Sequence, residues 1–310
     1  MRILFMGTPD FALFSLRALV EAGENVIGVI TQPDKPKGRG YTLTPPPVKV
    51  YALEQNLPVL QPNTLRGEEF AATLEKLDPE LIIVVAYGKI LPANVLEYPK
   101  YGCVNVHGSL LPEYRGAAPM QRAIIDGKKE TGITTQMMDA GIDTGDILLT
   151  EKVEITPTDN FETVHDKLGA CGASVLLRTI AALRAGTLVR TPQSSDRATY
   201  AAKIEKTDCV IDFSKPAAAV HDQIRGLSPI PLAFTHTPDG KMLKVIASEV
   251  ANTSDTALPG TVLSFADGKI TVACAHGAVS LLSVLPEGKK RMSAADFING
   301  RKVNIGDVFL

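Results

Sequence analysis

An unbroken run of six apolar residues at positions 81–86 constrains the fold of this chain more than any other feature. The run (LIIVVA) is rich in Ile and Val, which is typical of a strand whose two faces are both buried. Such strands occur in parallel sheets that have helices packed on both faces. The run therefore predicts an α/β fold built on a mainly parallel sheet.

Strand and helix patterns alternate on both sides of this run. Further strands are predicted at residues 2–6, 26–31, 59–60, 102–107, 132–138 and 147–153, and helices at 11–22, 48–55, 67–77, 118–126 and about 160–185. Glycines and prolines separate these segments, as expected for the turns between strands and helices. The alternation indicates an open, Rossmann-like sheet with helices on both faces.

The pattern changes after Gly186. Residues 187–206 are polar and show no clear period, which is typical of a linker between domains. One helical segment follows at 216–225, and then short β-like runs at 243–247, 260–264, 269–273 and 278–284, separated by glycine-containing turns. This second pattern predicts a small β-barrel or sandwich. We therefore expect a domain at 1–189, a linker at 190–206 and a second domain at 207–310.

Composition excludes several classes of protein. The 310 residues are 45% hydrophobic and 21% charged, which is ordinary for a globular protein of about two domains. No stretch of about 18 uninterrupted apolar residues is present, so a membrane span is not expected. The N-terminus lacks the pattern of a secretory signal, which predicts a cytoplasmic location. The four cysteines are far apart and form no metal-binding or disulfide pattern, so no metal is predicted.

The net charge of −2 is unevenly distributed along the chain. From Arg184 onward the balance is +3, and the preceding residues hold the remaining −5. A mildly basic C-terminal third suggests a polyanionic partner. Chance variation of the surface explains such an imbalance about as often as nucleic-acid binding does, so both interpretations stay open.

The search for common catalytic motifs narrows the chemistry. The first predicted strand ends in GTPDFA at residues 7–12, which is not the dinucleotide-binding pattern G-x-G-x-x-G. Walker A, H-E-x-x-H and G-x-S-x-G sequences are also missing from the chain. Hydride transfer, nucleotide hydrolysis, zinc proteolysis and serine hydrolysis therefore lack their usual support.

One dense polar cluster remains, NVHGSLLP at residues 105–112. Asn105 and His107 are two apart at the end of a predicted strand, so their side chains lie on one face. In open α/β sheets, ligands bind outside the carboxyl ends of strands, which is where we expect this pair. A second polar cluster, DAGIDTGD at residues 139–146, contains two glycines and forms a tight loop that presents a carboxylate to His107.

These residue types suit acyl transfer to a nucleophile that must lose a proton. A neutral imidazole accepts a proton near pH 7, and a neighbouring carboxylate orients the ring. The Asn105 amide donates a hydrogen bond to a carbonyl oxygen that gains negative charge. A histidine at a strand end is more often structural than catalytic, and a glycine-rich acidic loop is more often a plain turn. The residues alone leave these alternatives open.

Four segments resemble the formyltransferase family that uses 10-formyltetrahydrofolate. They are FMGTP at 5–9, NVHGSLLP at 105–112, YRGAAP at 114–119 and GIDTG at 141–145. The basic loop QPDKPKGRG at 32–40 and the sequence TPQ at 191–193 extend the resemblance over nearly the whole chain. The basic loop and the second domain are more specific for the members that act on initiator methionyl-tRNA.

The resemblance implies specific roles for individual residues. It implies that Asn105, His107 and Asp143 are catalytic, with Asp143 supplied by the second polar cluster. It further implies a folate-contacting loop of Ser109, Leu110, Leu111 and Pro112 and a pteridine pocket formed with Tyr87, Ile90 and Leu91. Ordinary core packing remains the alternative for the last three residues.

The resemblance also implies how a tRNA is bound. Residues 32–47 hold five prolines and the cations Lys35, Lys37 and Arg39, which is a long connection between a strand and a helix. Exposed basic loops are usually only solvated, whereas the resemblance implies that this loop stays out of the sheet and contacts the acceptor end. It implies an OB-like C-terminal domain at 207–310 that binds the tRNA body. Family members commonly carry tryptophan in this domain, but this chain has none and holds Phe213 and SPIP at 228–231 in that region.

The function implied is transfer of a formyl group from 10-formyltetrahydrofolate to the α-amine of methionine on initiator tRNA, by a cytoplasmic monomer without a metal. Three alternatives stay open. In the first, the formyl acceptor is a small amine such as glycinamide ribonucleotide or an amino sugar. In the second, the enzyme hydrolyses the folate donor. In the third, the chain is a non-catalytic module that binds folate or RNA.

Overall fold

The computed structural model describes residues 1–37, 42–253 and 257–310. The chain divides into two compact units. Unit 1 comprises residues 1–116, 130–154 and 165–200, and unit 2 comprises residues 117–129, 155–164 and 201–310.

Helices and strands alternate through the first half of the chain. The helices are α1 (Asp10–Glu21), α2 (Pro47–Glu54), α3 (Glu68–Leu77), α4 (Ala93–Leu96), α5 (Pro119–Ile125), α6 (Phe161–Ala185), α7 (Ala217–Gly226) and α8 (Ala294–Asn299). The strands up to α6 are β1 (Ile3–Gly7), β2 (Val26–Ile30), β3 (Lys35–Lys37), β4 (Thr42–Thr44), β5 (Val59–Leu60), β6 (Leu81–Val85), β7 (Cys103–His107), β8 (Arg115–Gly116), β9 (Glu130–Met137) and β10 (Ile147–Glu154). After α6 come β11 (Tyr200–Ala201), β12 (Ala233–His236), β13 (Met242–Ala251), β14 (Val262–Ser264), β15 (Ile270–Ala273), β16 (Ala278–Pro286) and β17 (Met292–Ser293).

The sheet of unit 1 has the strand order β10-β9-β7-β6-β1-β2-β5 in the described part of the chain. Strands β5, β2, β1, β6 and β7 run parallel, and β9 and β10 are antiparallel to their neighbours at one edge. Every residue of β6 is buried, because this strand lies inside the sheet with helices on both sides. The predicted α/β fold with a mainly parallel sheet is confirmed.

Two layers of helices cover this sheet. On one face, Met6, Val84 and Cys103 form a core cluster with Phe70 of α3 and Val95 of α4. On the other face, α6 approaches β7 and β9 closely at Gly172. A Cβ atom at Gly172 would lie only 3.2 Å from Val106 Cγ1. Burial of large apolar side chains on both faces contributes about 1.5–3 kcal/mol for each residue.

Helix α6 is long and apolar enough to cross a membrane by length and composition alone, with a mean hydropathy of 1.3 over the window tested. Core helices of globular proteins also meet this criterion. The buried apolar side chains on α6 are Val164, Leu168, Val175, Leu176 and Ile180. The buried hydroxyls of Thr179 on α6 and Thr135 on β9 are 2.8 Å apart, which joins the helix to the sheet.

Residues 35–44 contain a short antiparallel ribbon in which β3 pairs with β4, apart from the main sheet. The sequence predicted only that the connection at residues 32–47 stays out of the main sheet. It also missed α4 and β12, and it predicted β13 five residues shorter than observed. Strand β13 continues to Ala251 because it pairs along its length with β16, a long-range contact without a local signal.

Unit 2 contains a mainly antiparallel sheet of order β12-β13-β16-β15-β14, with β17 paired to β16. The C-terminus joins its two edges. Phe309 N donates to Gly260 O, next to β14, and Leu310 exchanges two backbone hydrogen bonds with His236 of β12. This closure confirms the predicted β-barrel domain. In the core of unit 2, the rings of Phe213 and Phe309 are 6.5 Å apart.

Candidate active site

Strand β7 presents Asn105 and His107 on the same face of the sheet as the core residue Cys103, because alternate strand residues share a face. Val106 points to the other face, towards α6. Antiparallel pairing places Gln136 of β9 opposite Asn105 and Thr134 opposite His107. Asn105 and His107 of β7 and the facing residues of β9 therefore form one polar patch on a sheet face.

The His107 ring is buried, and each of its nitrogens faces an oxygen atom. Its Nε2 lies 2.9 Å from the carbonyl oxygen of Tyr114. A carbonyl only accepts hydrogen bonds, so Nε2 carries a proton and donates. The other nitrogen, Nδ1, lies 3.6 Å from Oδ2 of Asp143. Nδ1 is therefore the ring atom that can accept a proton next to a carboxylate.

The Asp143 carboxylate accepts hydrogen bonds from three directions. Its Oδ1 accepts from Gln136 Nε2 at 2.8 Å and from Asn105 Nδ2 at 3.3 Å. Its Oδ2 accepts from the backbone N–H of Gly116 at 2.9 Å. This network fixes the carboxylate beside His107.

Glycine allows the loop between β9 and β10 to fold back over the sheet. A Cβ atom at Gly145 would lie 1.7 Å from Met137 O, and one at Gly141 would lie 2.0 Å from Thr144 Oγ1. These glycines are needed for close approach, since neither has a positive φ angle. Asp143 does adopt the left-handed conformation, with φ of 53°.

The loop that follows His107 is anchored to β9. Thr134 Oγ1 donates to Ser109 O at 2.8 Å and accepts from Leu111 N at 3.1 Å. The Ser109 hydroxyl is fully buried and donates to Glu113 O at 2.6 Å. Leu111 and Pro112 are buried and joined by a cis peptide bond, whereas Leu110 is half-buried. The predicted folate-contacting loop therefore lies next to His107.

The residues after β6 separate into two environments. Tyr87 and Leu91 are buried in the core cluster, at 1% and 4% exposure, whereas Ile90 is 76% exposed. Burial raises the pKa of Tyr87 to about 12, and its hydroxyl has no hydrogen-bond partner within the described residues. The Tyr87 carbonyl accepts from Thr8 Oγ1 and Gln32 Nε2, both at 3.1 Å, which joins the ends of β1, β2 and β6.

Two of the three predicted tRNA-binding cations, Lys35 and Lys37, belong to strand β3. Lys35 is exposed, Lys37 pairs with Thr42 through the backbone, and Arg39 lies outside the described residues. The chain just before the ribbon is held by Asp34, which accepts hydrogen bonds from Lys49 and Gln61. The Lys49 ammonium is 2.8 Å from Asp34 Oδ2, and this contact lowers the pKa of the Asp34 carboxyl.

Three residues that contact the Asp143 network were given no role in the sequence analysis. They are Gln136, Arg115 and Gln193, and the amide of Gln193 reaches the carbonyl oxygens of both Asp143 and Gly145. The polar run of two threonines and a glutamine at 134–136 of the predicted strand was a usable signal for Gln136. Arg115 and Gln193 lie in segments of the family resemblance, but no local pattern predicts their contact, which joins residues 78 positions apart. In the ranges that the structure describes, no group of three or more His, Cys, Asp or Glu side chains is arranged to hold a metal ion.

Comparison with known proteins places this site in a family. A family model described as "Formyl transferase" matches residues 1–180, and one described as "Formyl transferase, C-terminal domain" matches residues 203–302. The methionyl-tRNA formyltransferase of Symbiobacterium thermophilum is 49% identical over 100% of this chain and 95% of its own length. That of Desulforamulus reducens is 47% identical, with coverage of 99% and 97%. The chain belongs to the methionyl-tRNA formyltransferase family.

Members of the methionyl-tRNA formyltransferase family are enzymes, and the prediction of a formyltransferase enzyme is confirmed. Solved structures of lower identity share the fold. The sugar 3N-formyl transferase WlaRD is 19% identical with a TM-score of 0.67, over 94% of this chain and 99% of that one. HypX from Aquifex aeolicus in complex with tetrahydrofolic acid is 17% identical with a TM-score of 0.64, over 96% of this chain and 47% of that one.

Proposed function

We propose that this chain transfers the formyl group of 10-formyltetrahydrofolate to the α-amine of methionine on initiator methionyl-tRNA, for translation initiation. The observation that most strongly supports this function is identity of 45–49% to methionyl-tRNA formyltransferases over nearly the whole chain, including the second domain. The cluster of Asn105, His107 and Asp143 supplies the groups that the reaction needs.

In this proposal, His107 and Asp143 together remove the proton that the amine loses as it attacks the formyl carbon. The Tyr114 carbonyl keeps the proton of His107 on Nε2, so Nδ1 accepts the incoming proton. Asp143, 3.6 Å away, stabilises the positive charge that the ring then gains. The donor supplies the formyl group, and this chain needs no covalent nucleophile.

Asn105 stabilises the negative charge that develops on the formyl oxygen. One N–H of its amide is directed to Asp143 Oδ1, at a long 3.3 Å, and the other is available for the substrate. A preorganised donor of this kind contributes about 10²–10³-fold in rate.

The folate donor fits the loops on this side of the sheet. Ile90 and Ile142 are apolar yet 76% and 62% exposed, which suits contact with a flat heterocycle. Ser109, Leu110, Leu111 and Pro112 form the proposed wall next to His107. Tyr87 and Leu91 support the pocket from the core, and their neighbour Ile90 contacts the ligand.

We propose that Lys35, Lys37 and Arg39 bind the acceptor end of the tRNA and that the domain at 207–310 binds its body, with residues 190–206 as the linker. The +3 balance from Arg184 onward lies within residues 184–206, while the domain at 207–310 holds ten Lys and Arg and ten Asp and Glu, so similarity to the relatives, and not net charge, supports its role. The proposed enzyme is a cytoplasmic monomer without a membrane partner. One chain supplies every residue of the site, and the apolar face of α6 packs against the sheet.

The principal alternative is formylation of an amino sugar, because solved sugar N-formyltransferases share the fold. One of them, from Helicobacter canadensis, was crystallised with folinic acid and dTDP-3-aminofucose. At 19% identity that likeness shows the fold alone, so the tRNA substrate is favoured.

The decisive experiment offers labelled 10-formyltetrahydrofolate with initiator methionyl-tRNA, glycinamide ribonucleotide or a dTDP-amino sugar, each in a separate reaction. We expect kcat/KM for methionyl-tRNA to exceed that for either small amine by at least about 10³-fold. The His107→Asn variant is the matched control and should lower kcat by about 10²–10⁴-fold. Faster formylation of a small amine would refute the proposed function.

A further inference from the structure

The segment of residues 191–199, which the sequence pattern assigned to a linker, is bound to the loops of the site in unit 1. Thr191 exchanges two backbone hydrogen bonds of 2.9 Å with Ile147, at the start of β10. Gln193 reaches the Asp143 loop, and Thr199 reaches the loop that contains Tyr114. Both loops that contact His107 are therefore held by one stretch of chain.

Gln193 uses both ends of its amide. Its Nε2 donates to Asp143 O at 2.9 Å and to Gly145 O at 2.7 Å. Its Oε1 accepts from Nε of Arg115 at 3.0 Å and from Nη2 of Arg115 at 2.8 Å. A side chain that bridges two loops in this way restricts the position of each.

Arg115 makes this bridge rigid. It is only 4% exposed, and within the three described ranges no carboxylate lies within 4 Å of its guanidinium. A buried charge without an ion-pair partner depends strongly on its remaining hydrogen bonds. The guanidinium therefore fixes the orientation of the Gln193 amide, with Oε1 towards Arg115 and Nε2 towards the loop carbonyls.

The backbone of the Asp143 loop benefits from such support. Asp143 adopts the left-handed region, which aspartate tolerates better than most residues but which hydrogen bonds to the loop backbone stabilise further. Two of those contacts are the hydrogen bonds from Gln193 to the carbonyls of Asp143 and Gly145. Without them, the carboxylate loses part of the restraint that keeps it 3.6 Å from His107 Nδ1.

Thr199 supports the other partner of His107. Its Oγ1 accepts from Tyr114 N at 2.8 Å, and its carbonyl oxygen accepts from Arg115 N at 2.9 Å. Tyr114 O is the acceptor that sets the tautomer of His107. The same segment thus positions the carboxylate on one side of the ring and the carbonyl on the other.

We propose that Gln193 is a positioning residue of the formyl-transfer reaction, which holds Asp143 against His107 through its two donated hydrogen bonds while Arg115 fixes its orientation. The inference rests on the proposed function for its kinetic readout. It assigns the segment 191–199 to the catalytic machinery, in addition to its place in the chain between the two domains.

The Gln193→Glu variant removes the donating NH₂ group of the side chain and keeps an accepting oxygen. A carboxylate there still accepts from Arg115 but repels the two loop carbonyls. We expect kcat to fall by about 10²-fold, because misplacement of a catalytic group by about 1 Å costs that much, while KM for folate and for tRNA changes less than about twofold. Gln193→Met removes both the donating NH₂ group and the accepting oxygen without adding a charge. It is the variant to use if Gln193→Glu fails to fold. Gln55→Glu, on the exposed end of α2, is the matched control.

A second readout does not need the reaction. In protein labelled with [¹⁵N]histidine, the ring signals of His107 are identified by their loss in His107→Asn. The Gln193 variants should shift the Nδ1 resonance of His107, and the Gln55 control should leave it in place. The proposal is overturned if that resonance is unmoved, or if kcat of a folded Gln193 variant stays within threefold of the unaltered protein. If the unaltered protein does not formylate methionyl-tRNA, the proposed function fails, and the spectra still decide the positioning role.

Discussion

A substitution at Gly145 tests how closely the geometry of the Asp143 loop controls catalysis. A Cβ atom at this position would lie 1.7 Å from Met137 O, whereas real Cβ atoms essentially never approach within 3.0 Å of another heavy atom. In Gly145→Ala, the loop must therefore retreat from β9 by at least about 1.3 Å. That movement also strains the hydrogen bond that Gly145 O accepts from Gln193 at 2.7 Å.

The displacement predicts the size of the kinetic effect. A shift of about 1 Å in a positioned catalytic group costs about 10²-fold in rate, or about 2.7 kcal/mol of transition-state stabilisation. We expect kcat for methionyl-tRNA formylation to fall by about this factor in Gly145→Ala. The forced contact should also lower the free energy of unfolding by about 1–3 kcal/mol.

Steady-state kinetics with both substrates varied, together with urea unfolding, measure the two effects. Gly28→Ala is the matched control. A Cβ atom at that buried glycine of β2 would lie 3.5 Å from Leu4 Cδ1, an ordinary van der Waals distance. We expect Gly28→Ala to keep kcat within about twofold of the unaltered protein. A folded Gly145→Ala protein with unchanged kcat would refute the link between the loop position and catalysis.

Three further predictions concern stability and tRNA binding. A hydrogen bond to the Asp10 carboxylate raises the pKa of His165. The protonated ring therefore stabilises the fold below about pH 6.5, and this contribution is lost as the pH rises through the raised pKa. His165→Gln should therefore lower the free energy of unfolding by roughly 0.5 kcal/mol more near pH 6 than near pH 9 in urea titrations, and equal losses would contradict this. Tyr87→Phe removes a buried hydroxyl without a partner among the described residues and should raise the free energy of unfolding by about 1 kcal/mol, whereas a lower value would reveal a missed partner. Replacement of both Lys35 and Lys37 by alanine should reduce the slope of log Kd for tRNA against log salt by about 1.5, and an unchanged slope would exclude phosphate contacts.

Most of the secondary structure of unit 1 was predictable because burial follows local periodicity. The apolar run that became β6 is buried on both faces, as its composition indicated. The missed elements have weak local signals. Helix α4 spans only Ala93–Leu96, and β12 spans only Ala233–His236. Their structure depends on partners elsewhere in the chain.

The sequence by itself determined the α/β class of unit 1, the β-rich class of unit 2 (a small barrel or sandwich) and the placement of Asn105 and His107 on one face of a strand. These features follow from residue spacing along a single element. Only the tertiary structure decided which atom of His107 faces Asp143, and that Gln136 and Gln193 support the carboxylate. The contacts involved join residues up to 50 positions apart. Such contacts depend on the strand register and on how closely the loops approach the sheet at glycines such as Gly145. The packing of the whole unit determines both the register and the approach of the loops.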